Sequence, residues 1–124
     1  DGLGSVVAQV GPQIGPCAFS SLAASREWLG TDAARAFTRA YAAARQFLNQ
    51  APAAEITALQ QSYFPGVDAA ALETCISSYQ RLGCWTPHVE ITRPAFEVIL
   101  DIFEYTGGIP ERYPYERVCA SPPV

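Results

Sequence analysis

The stretch Thr31–Gln50 constrains the fold most, because it is the longest uninterrupted helical pattern in the chain. Its apolar residues recur every three or four positions and draw one stripe along a helix, formed by Phe37, Tyr41, Ala44 and Leu48. The Thr31 hydroxyl can accept a backbone N–H bond of the first turn, and Pro52 excludes helical geometry for the residue before it. The sequence therefore predicts a helix over 31–50, against which the later elements pack.

Three shorter helices are predicted to follow it. The first begins at Pro52, a residue that suits a first helical turn, and the other two begin after the N-cap residues Asp68 and Thr92. Gly83 and Gly107 end the last two helices, since glycine adopts the left-handed conformation found just past a helix C-terminus. The predicted buried stripes of these three helices are Ile56, Leu59 and Tyr63; Leu72, Cys75, Ile76, Tyr79 and Leu82; and Phe96, Ile99, Leu100 and Phe103.

The residues before the long helix carry a pattern typical of strands. Ser5–Val10 is a short β-rich run closed by a Gly-Pro pair, and residues 14–22 alternate weakly between apolar and polar side chains. We therefore expect a short N-terminal strand pair. The predicted fold class is α+β, mostly α, with about four amphipathic helices.

Charge and hydropathy limit the partners of the chain. Only 16% of its residues are charged, the net charge is −4, and the basic residues are scattered, so nothing resembles the basic stripe that binds nucleic acid. No apolar run approaches the ~18–20 residues that span a membrane. The chain begins at Asp1 rather than at Met, and we expect it to be a mature, trimmed or excised piece.

The four cysteines do not point to one chemistry. Their spacings match no zinc or redox motif, so buried free thiols and the disulfides of an exported protein both stay open. The sequence does not determine how these residues pair: Cys17, Cys75, Cys84 and Cys119.

No group of residues indicates catalysis. Cys84 and His88 are the minimum for a thiolate nucleophile with its base, but a proline-containing extended link gives the two side chains no reason to meet. The acids Glu97, Asp101 and Glu104 share one face of the last helix, where solvated carboxylates are the ordinary interpretation. We predict that the chain is not an enzyme and has no catalytic residue, no metal site and no cofactor.

Three stretches carry a further pattern: FTRAYAAARQFLNQAPAAE (37–55), YFPGVDAAALETCISSYQRLGCW (63–85) and ITRPAFEVILDIFEYTGGIPERYPYERV (91–118). Together they cover about two-thirds of the chain and resemble the C-terminal part of substrate-binding proteins of bacterial ABC importers. The most similar group binds thiamine precursors, aliphatic sulfonates, taurine or nitrate. The lead-in DGLGSVVAQVGPQIGPCAFSSLAAS resembles the passage from the second lobe of such proteins back to the first.

The resemblance implies a partial type II periplasmic binding protein fold. Residues 1–24 would form a strand and crossover segment from lobe two to lobe one, and residues 25–124 would form the C-terminal helical cluster of lobe one. In this family the crossover passes beside the ligand. The resemblance therefore implies that ligand contacts come from Cys17, Phe19, Ser20 and Ser21.

The function implied by the resemblance is solute import without catalysis. The intact protein would be periplasmic, or anchored by lipid at the cell surface, and would close two lobes around a small-molecule solute for delivery to an ABC permease. A stand-alone helical protein-interaction module is the alternative. If the helical cluster has lost its partner lobe, the stripe that contains Phe37 and Tyr41 stays wet, and we expect the fragment to form a homodimer.

Overall fold

The computed structural model describes residues 4–5 and 7–123, and the secondary structure of this part of the chain is helical. A short 3₁₀ turn, Gln61–Tyr63, follows the fourth helix directly. The helices are α1 (Gly11–Ile14), α2 (Arg26–Leu29), α3 (Asp32–Gln50), α4 (Ala53–Gln60), α5 (Ala69–Arg81), α6 (Arg93–Tyr105) and α7 (Tyr115–Val118).

The predicted N-terminal strand pair is wrong, and with it the α+β class and the partial type II periplasmic binding protein fold. Among the described residues, neither 4–5 and 7–10 nor 14–22 forms a strand, while Val6 lies outside them. Gly11–Ile14 is instead a short helix, with Pro12 in its first turn. A strand is stable only beside a second strand that pairs with its backbone N–H and C=O groups. The side chain of Val7 is 95% exposed, so it also lacks the apolar contact that would hold this segment in place.

The long helix is confirmed as α3. The Thr31 hydroxyl accepts the N–H of Ala34 at 3.2 Å, as expected of an N-cap. The helix ends at Gln50 because Ala51, which precedes Pro52, has an extended backbone with ψ of 148°.

The chain separates into two compact units. One contains Ser25–Val89, with the described residues of Pro122–Val124, and therefore holds α2 to α5. The other combines the described residues of Asp1–Ala24 with Glu90–Ser121 and holds α1, α6 and α7. The assignment of residues 1–24 and 25–124 to separate parts of a two-lobed protein stays a prediction.

The core of the Ser25–Val89 unit lies between α4 and α5. Its buried residues are Ile56, Leu72 and Ile76, and the half-buried residues packed against them are Leu48, Ala51, Ala53 and Trp85. These buried positions lie on the predicted stripes of the two helices, which is why the helices meet along them. α5 ends as the sequence predicts, since Gly83 has φ of 66° and the N–H of Cys84 bonds back to the carbonyl of Tyr79.

Backbone carbonyls at the C-terminal end of α3 accept hydrogen bonds from a side chain of α5. The Gln80 side-chain amide donates to the carbonyl of Leu48 at 2.8 Å and to that of Ala51 at 2.9 Å. Carbonyls of a last helical turn have no partner within the helix, so this amide replaces the bonds that the helix cannot make.

The second unit is built on α6. Its buried cluster is Phe96, Ile99 and Leu100, which are predicted stripe residues, and the half-buried residues around it are Cys17, Ala18, Ile91, Ile102, Ile109, Tyr115 and Cys119. The N–H of Ala18 donates to the carbonyl of Ala95 at 3.0 Å, so the N-terminal segment is held to the first turn of α6.

The C-terminal tail is fixed to α6 by Tyr115. Its ring packs edge-on against Phe96 at 5.6 Å between centroids, and its hydroxyl donates to the carbonyl of Ile91. The Arg93 guanidinium lies over the same ring at 4.7 Å and pairs with Glu116. The pKa of Glu116 is lowered by its own backbone N–H and then by Arg93.

Burial predicts a large difference between two neighbouring aliphatic residues of α4. Ile56 is 1% exposed, whereas Leu59 is 61% and Tyr63 78% exposed, so the prediction that these two share the buried stripe of Ile56 is wrong. We expect Ile56→Ala to lower the free energy of unfolding by about 2–4 kcal/mol through lost burial and a cavity. Leu59→Ala, the matched control, should change it by less than about 0.5 kcal/mol. Urea denaturation followed by circular dichroism measures both, and equal losses would contradict the position of the core.

Candidate functional site

The predicted ligand residues lie in an extended segment beside α6. Cys17 is half-buried against the α6 cluster, whereas Phe19 is 72% exposed and Ser20 is also exposed. The exposed Ser21 hydroxyl donates to the carbonyl of Ala18 at 3.1 Å, which fixes a local turn. The structure thus brings Cys17 onto the core and leaves the aromatic ring and hydroxyls beside it accessible. Their role in ligand binding stays a prediction.

A second candidate surface runs along the N-terminal half of α3. We call Trp28, Phe37 and Tyr41 the aromatic face. The rings of Trp28 and Phe37 meet edge-on at 5.9 Å between centroids, and those of Phe37 and Tyr41 stack at 6.2 Å. Phe37 nevertheless remains 47% exposed. The predicted stripe is therefore divided, because Leu48 enters the core while Phe37 stays in contact with solvent.

Arg45 extends the aromatic face toward the C-terminal end of α3. Its Nη1 donates to the Tyr41 hydroxyl at 2.8 Å, and its guanidinium carbon lies 5.5 Å from the centre of the same ring. Its Nε and Nη2 each donate at 2.7 Å to Thr86, the first to the carbonyl and the second to the hydroxyl. Sequence reasoning missed Arg45, although a tyrosine and an arginine four residues apart on one helix face would have been the signal.

The charge of Arg45 is not neutralised within the part of the chain that the structure describes. All three of its hydrogen-bond partners are neutral, and the half-buried guanidinium retains two of its five N–H donors. A guanidinium suits the paired oxygens of anions such as carboxylate, sulfonate or nitrate, and aromatic rings beside it suit the apolar part of a ligand or partner. The aromatic face with Arg45 can therefore bind an anionic, partly apolar group.

A polar groove lies on another side of α3. It has a volume of about 540 Å³, is open to solvent and is lined by both alanines and polar side chains. The lining residues are Arg39, Ala42, Ala43, Gln46, Asn49, Gln50 and Pro87. Ligand sites usually bury most of a small molecule's surface. An open groove of this kind cannot enclose a ligand in that way.

The acids of α6 form an ion-pair cluster. Arg112 binds three carboxylates, those of Glu97 at 2.7 Å, Asp101 at 2.6 Å and Glu104 at 2.9 Å. Its bond to Asp101 is the largest cause of the raised pKa of Arg112. The spacing of the three acids along the helix could not identify Arg112 as their partner.

Among residues 4–5 and 7–123, no three His, Cys, Asp or Glu side chains are placed to hold a metal ion. Cys84, for which the sequence offers no reason to lie beside His88, is exposed, and the carbonyl of His88 accepts a bond from the Thr86 hydroxyl at 3.2 Å. That the chain is not an enzyme stays a prediction. No helix within these residues has the length and apolar character needed to cross a bilayer.

Comparison with known proteins gives one informative similarity. The chain is 26% identical over 119 residues to the "Putative binding protein YtlA" of Bacillus subtilis (strain 168). The alignment covers 94% of this chain but 36% of the relative, so the chain spans about a third of that protein's length. No protein-family profile matches the chain, and no solved structure matches it. The similarity supports a binding role.

The geometry of Arg45 predicts that lysine cannot replace it. Arg45→Lys keeps the charge but cannot reach Thr86 and the Tyr41 hydroxyl together, so we expect a loss of about 1–2 kcal/mol in unfolding free energy. Arg39→Lys, at an exposed position on the same helix, should stay within about 0.5 kcal/mol of the parent chain. Urea denaturation of the two variants checks this, and indistinguishable midpoints would show that the three bonds do not stabilise the fold.

Proposed function

We propose that this chain is the C-terminal portion of a solute-binding protein of an ABC importer. The observation that carries the proposal is the alignment, since nearly the whole chain is similar to a named binding protein of which it spans about a third. The intact protein would capture a small molecule by closing two lobes around it, with the helices of this chain in one lobe. It would be periplasmic or anchored by lipid at the cell surface, and its further partner would be the permease.

The exposed segment around Phe19 supports a position beside the solute. Phe19 and Ser20 make no contribution to the core of their unit, while Ala18, next to them, is fixed to α6 by a backbone bond. An exposed aromatic ring and two hydroxyls on an anchored segment can contact a small polar solute without disturbing the fold. Thiamine precursors, aliphatic sulfonates, taurine and nitrate are the proposed solutes.

Solute binding is tested on the product of the complete open reading frame that encodes this chain. We expect saturable heats of binding in titration calorimetry with one of the four solute classes. The double variant Ser20→Ala/Ser21→Ala should weaken that binding through lost hydrogen bonds, whereas Ser62→Ala, at an exposed position of the other unit, should not.

Two results would contradict this proposal. One is a start codon immediately upstream of Asp1, which would leave no second lobe. The other is a folded full-length product that gives no heat with any of the four classes. Unchanged affinity in the serine double variant would exclude these two hydroxyls while leaving the solute-binding function supported.

The aromatic face favours a second candidate, a helical protein-interaction module. Exposed apolar surface is unfavourable by roughly 25 cal/mol per Å², so the half-exposed rings of Trp28 and Phe37 favour association with another protein surface. In the isolated 124-residue chain, a second copy can cover this face, and a two-fold dimer would cover both copies with one contact.

We expect the isolated chain to sediment as a homodimer at micromolar concentration. Phe37→Asp should shift it to monomer, because the charge would have to be buried in the contact. Leu59→Asp places the same charge on another exposed apolar residue and should leave the dimer intact. A parent chain that sediments as a monomer and binds no hydrophobic dye would contradict the need for a partner on the aromatic face.

A further inference from the structure

Two of the four cysteines pack against the same buried cluster. Cys17, near the N-terminus, and Cys119, in the tail, are both half-buried against the α6 cluster of Phe96, Ile99 and Leu100. We propose that Cys17 and Cys119 form a disulfide under oxidising conditions, which ties the N-terminal segment to the C-terminal tail across the start of α6. This proposal does not depend on the proposed function.

The segment that carries Cys17 is anchored at the first turn of α6. The residue after it, Ala18, donates its N–H to the carbonyl of Ala95 at 3.0 Å. A backbone bond of normal length leaves the neighbouring residue little freedom to move away. Cys17 is therefore held close to the residues that precede Phe96.

The segment that carries Cys119 reaches the same place from the other end of the chain. The N–H of Cys119 bonds to the carbonyl of Tyr115 at 2.7 Å, and Tyr115 packs against Phe96 and bonds to Ile91. The Arg93 charge also acts on the Cys119 thiol. The anchor points of both cysteine segments thus fall within residues 91–96, less than two turns of helix.

The other two cysteines do not offer an equivalent pair within their unit. Cys75 and Cys84 are both exposed. Cys75 lies within α5, which ends at Arg81, three residues before Cys84. The six helical steps from Cys75 to Arg81 advance about 9 Å at ~1.5 Å each, beyond the ~7 Å that a disulfide allows between Cα atoms. These two cysteines serve as matched controls, because they are thiols of the same chain with different surroundings.

The oxidation requires an external disulfide, for which oxidised glutathione is a sufficient reagent. A thiolate of one cysteine attacks it and forms a mixed disulfide, which releases one glutathione thiol. The second cysteine thiolate then attacks the protein sulfur of the mixed disulfide and releases the second glutathione thiol. The protein loses two electrons and two protons, and one molecule of oxidised glutathione is reduced to two thiols.

Burial affects the rate of this exchange. Desolvation raises the pKa of Cys119, and the nearby Arg93 opposes that effect more weakly. Since the thiolate is the reactive form, we expect oxidation to accelerate as the pH rises from neutral toward the pKa of the thiol. The bond would close a loop of about 100 residues and restrict the unfolded chain, so the oxidised protein should have the higher Tm, by roughly 10 °C.

The experiment equilibrates the 124-residue chain with oxidised and reduced glutathione, blocks remaining thiols, and maps tryptic peptides without reduction. Because the chain contains no lysine and a proline follows Arg93, the four cysteines fall on four peptides, 1–26, 46–81, 82–112 and 118–124. We expect peptides 1–26 and 118–124 to be joined, and the Tm to rise on oxidation. The variant Cys75→Ser/Cys84→Ser should retain both effects.

Other peptide maps would overturn the proposal. A bond to peptide 46–81 or 82–112, or glutathione adducts on Cys17 and Cys119 without a bond between them, would show that the two sulfurs do not approach each other. Cys17→Ser and Cys119→Ser should each abolish the Tm rise. If either variant fails to fold, the map of the parent chain decides alone, since it requires no substitution.

Discussion

The C-terminal half of α3 is the element on which the Ser25–Val89 unit depends. Leu48 contributes apolar contact to the core between α4 and α5, Gln80 satisfies the carbonyls at the end of the helix, and Arg45 binds Thr86 in the segment after α5. These contacts are respectively apolar, neutral and charge-assisted, so no single condition such as salt or pH removes all of them. α4 and α5 are therefore ordered by it, because helices of this length are marginal on their own.

The α6 unit is organised in a different way. A single amphipathic helix is covered by two segments that are distant in sequence, one before α2 and one after α6. Aromatic packing by Tyr115 and ion pairs of Arg93 and Arg112 hold the later segment on the helix. Segments of this kind gain little stability from local conformational propensity. A covalent bond between them would restrict the unfolded chain and so raise the free energy of unfolding.

Two exposed surfaces that belong to neither core support binding as the function. In the part of the chain that the structure describes, the aromatic face and Phe19 remain accessible although aromatic rings are among the groups that gain most from burial. Arg45 offers a positive charge next to one of these surfaces without a carboxylate partner in the described residues. The similarity to a named binding protein supports the same conclusion.

The sequence by itself determined where the four longer helices begin and end and only part of the side that each buries, since Phe37 and Leu59 of the predicted stripes stay exposed. Thr31, Pro52, Gly83 and Gly107 act through bonds and steric limits within a few residues, so their effect does not depend on the rest of the fold. Tertiary structure decided what lies against those helices. The β-type pattern of 5–10 did not produce a strand, since a strand depends on a distant partner that periodicity cannot supply. The same holds for Arg112, Gln80 and Arg45, which bond to partners eight to forty-one residues away that become neighbours only after the chain folds.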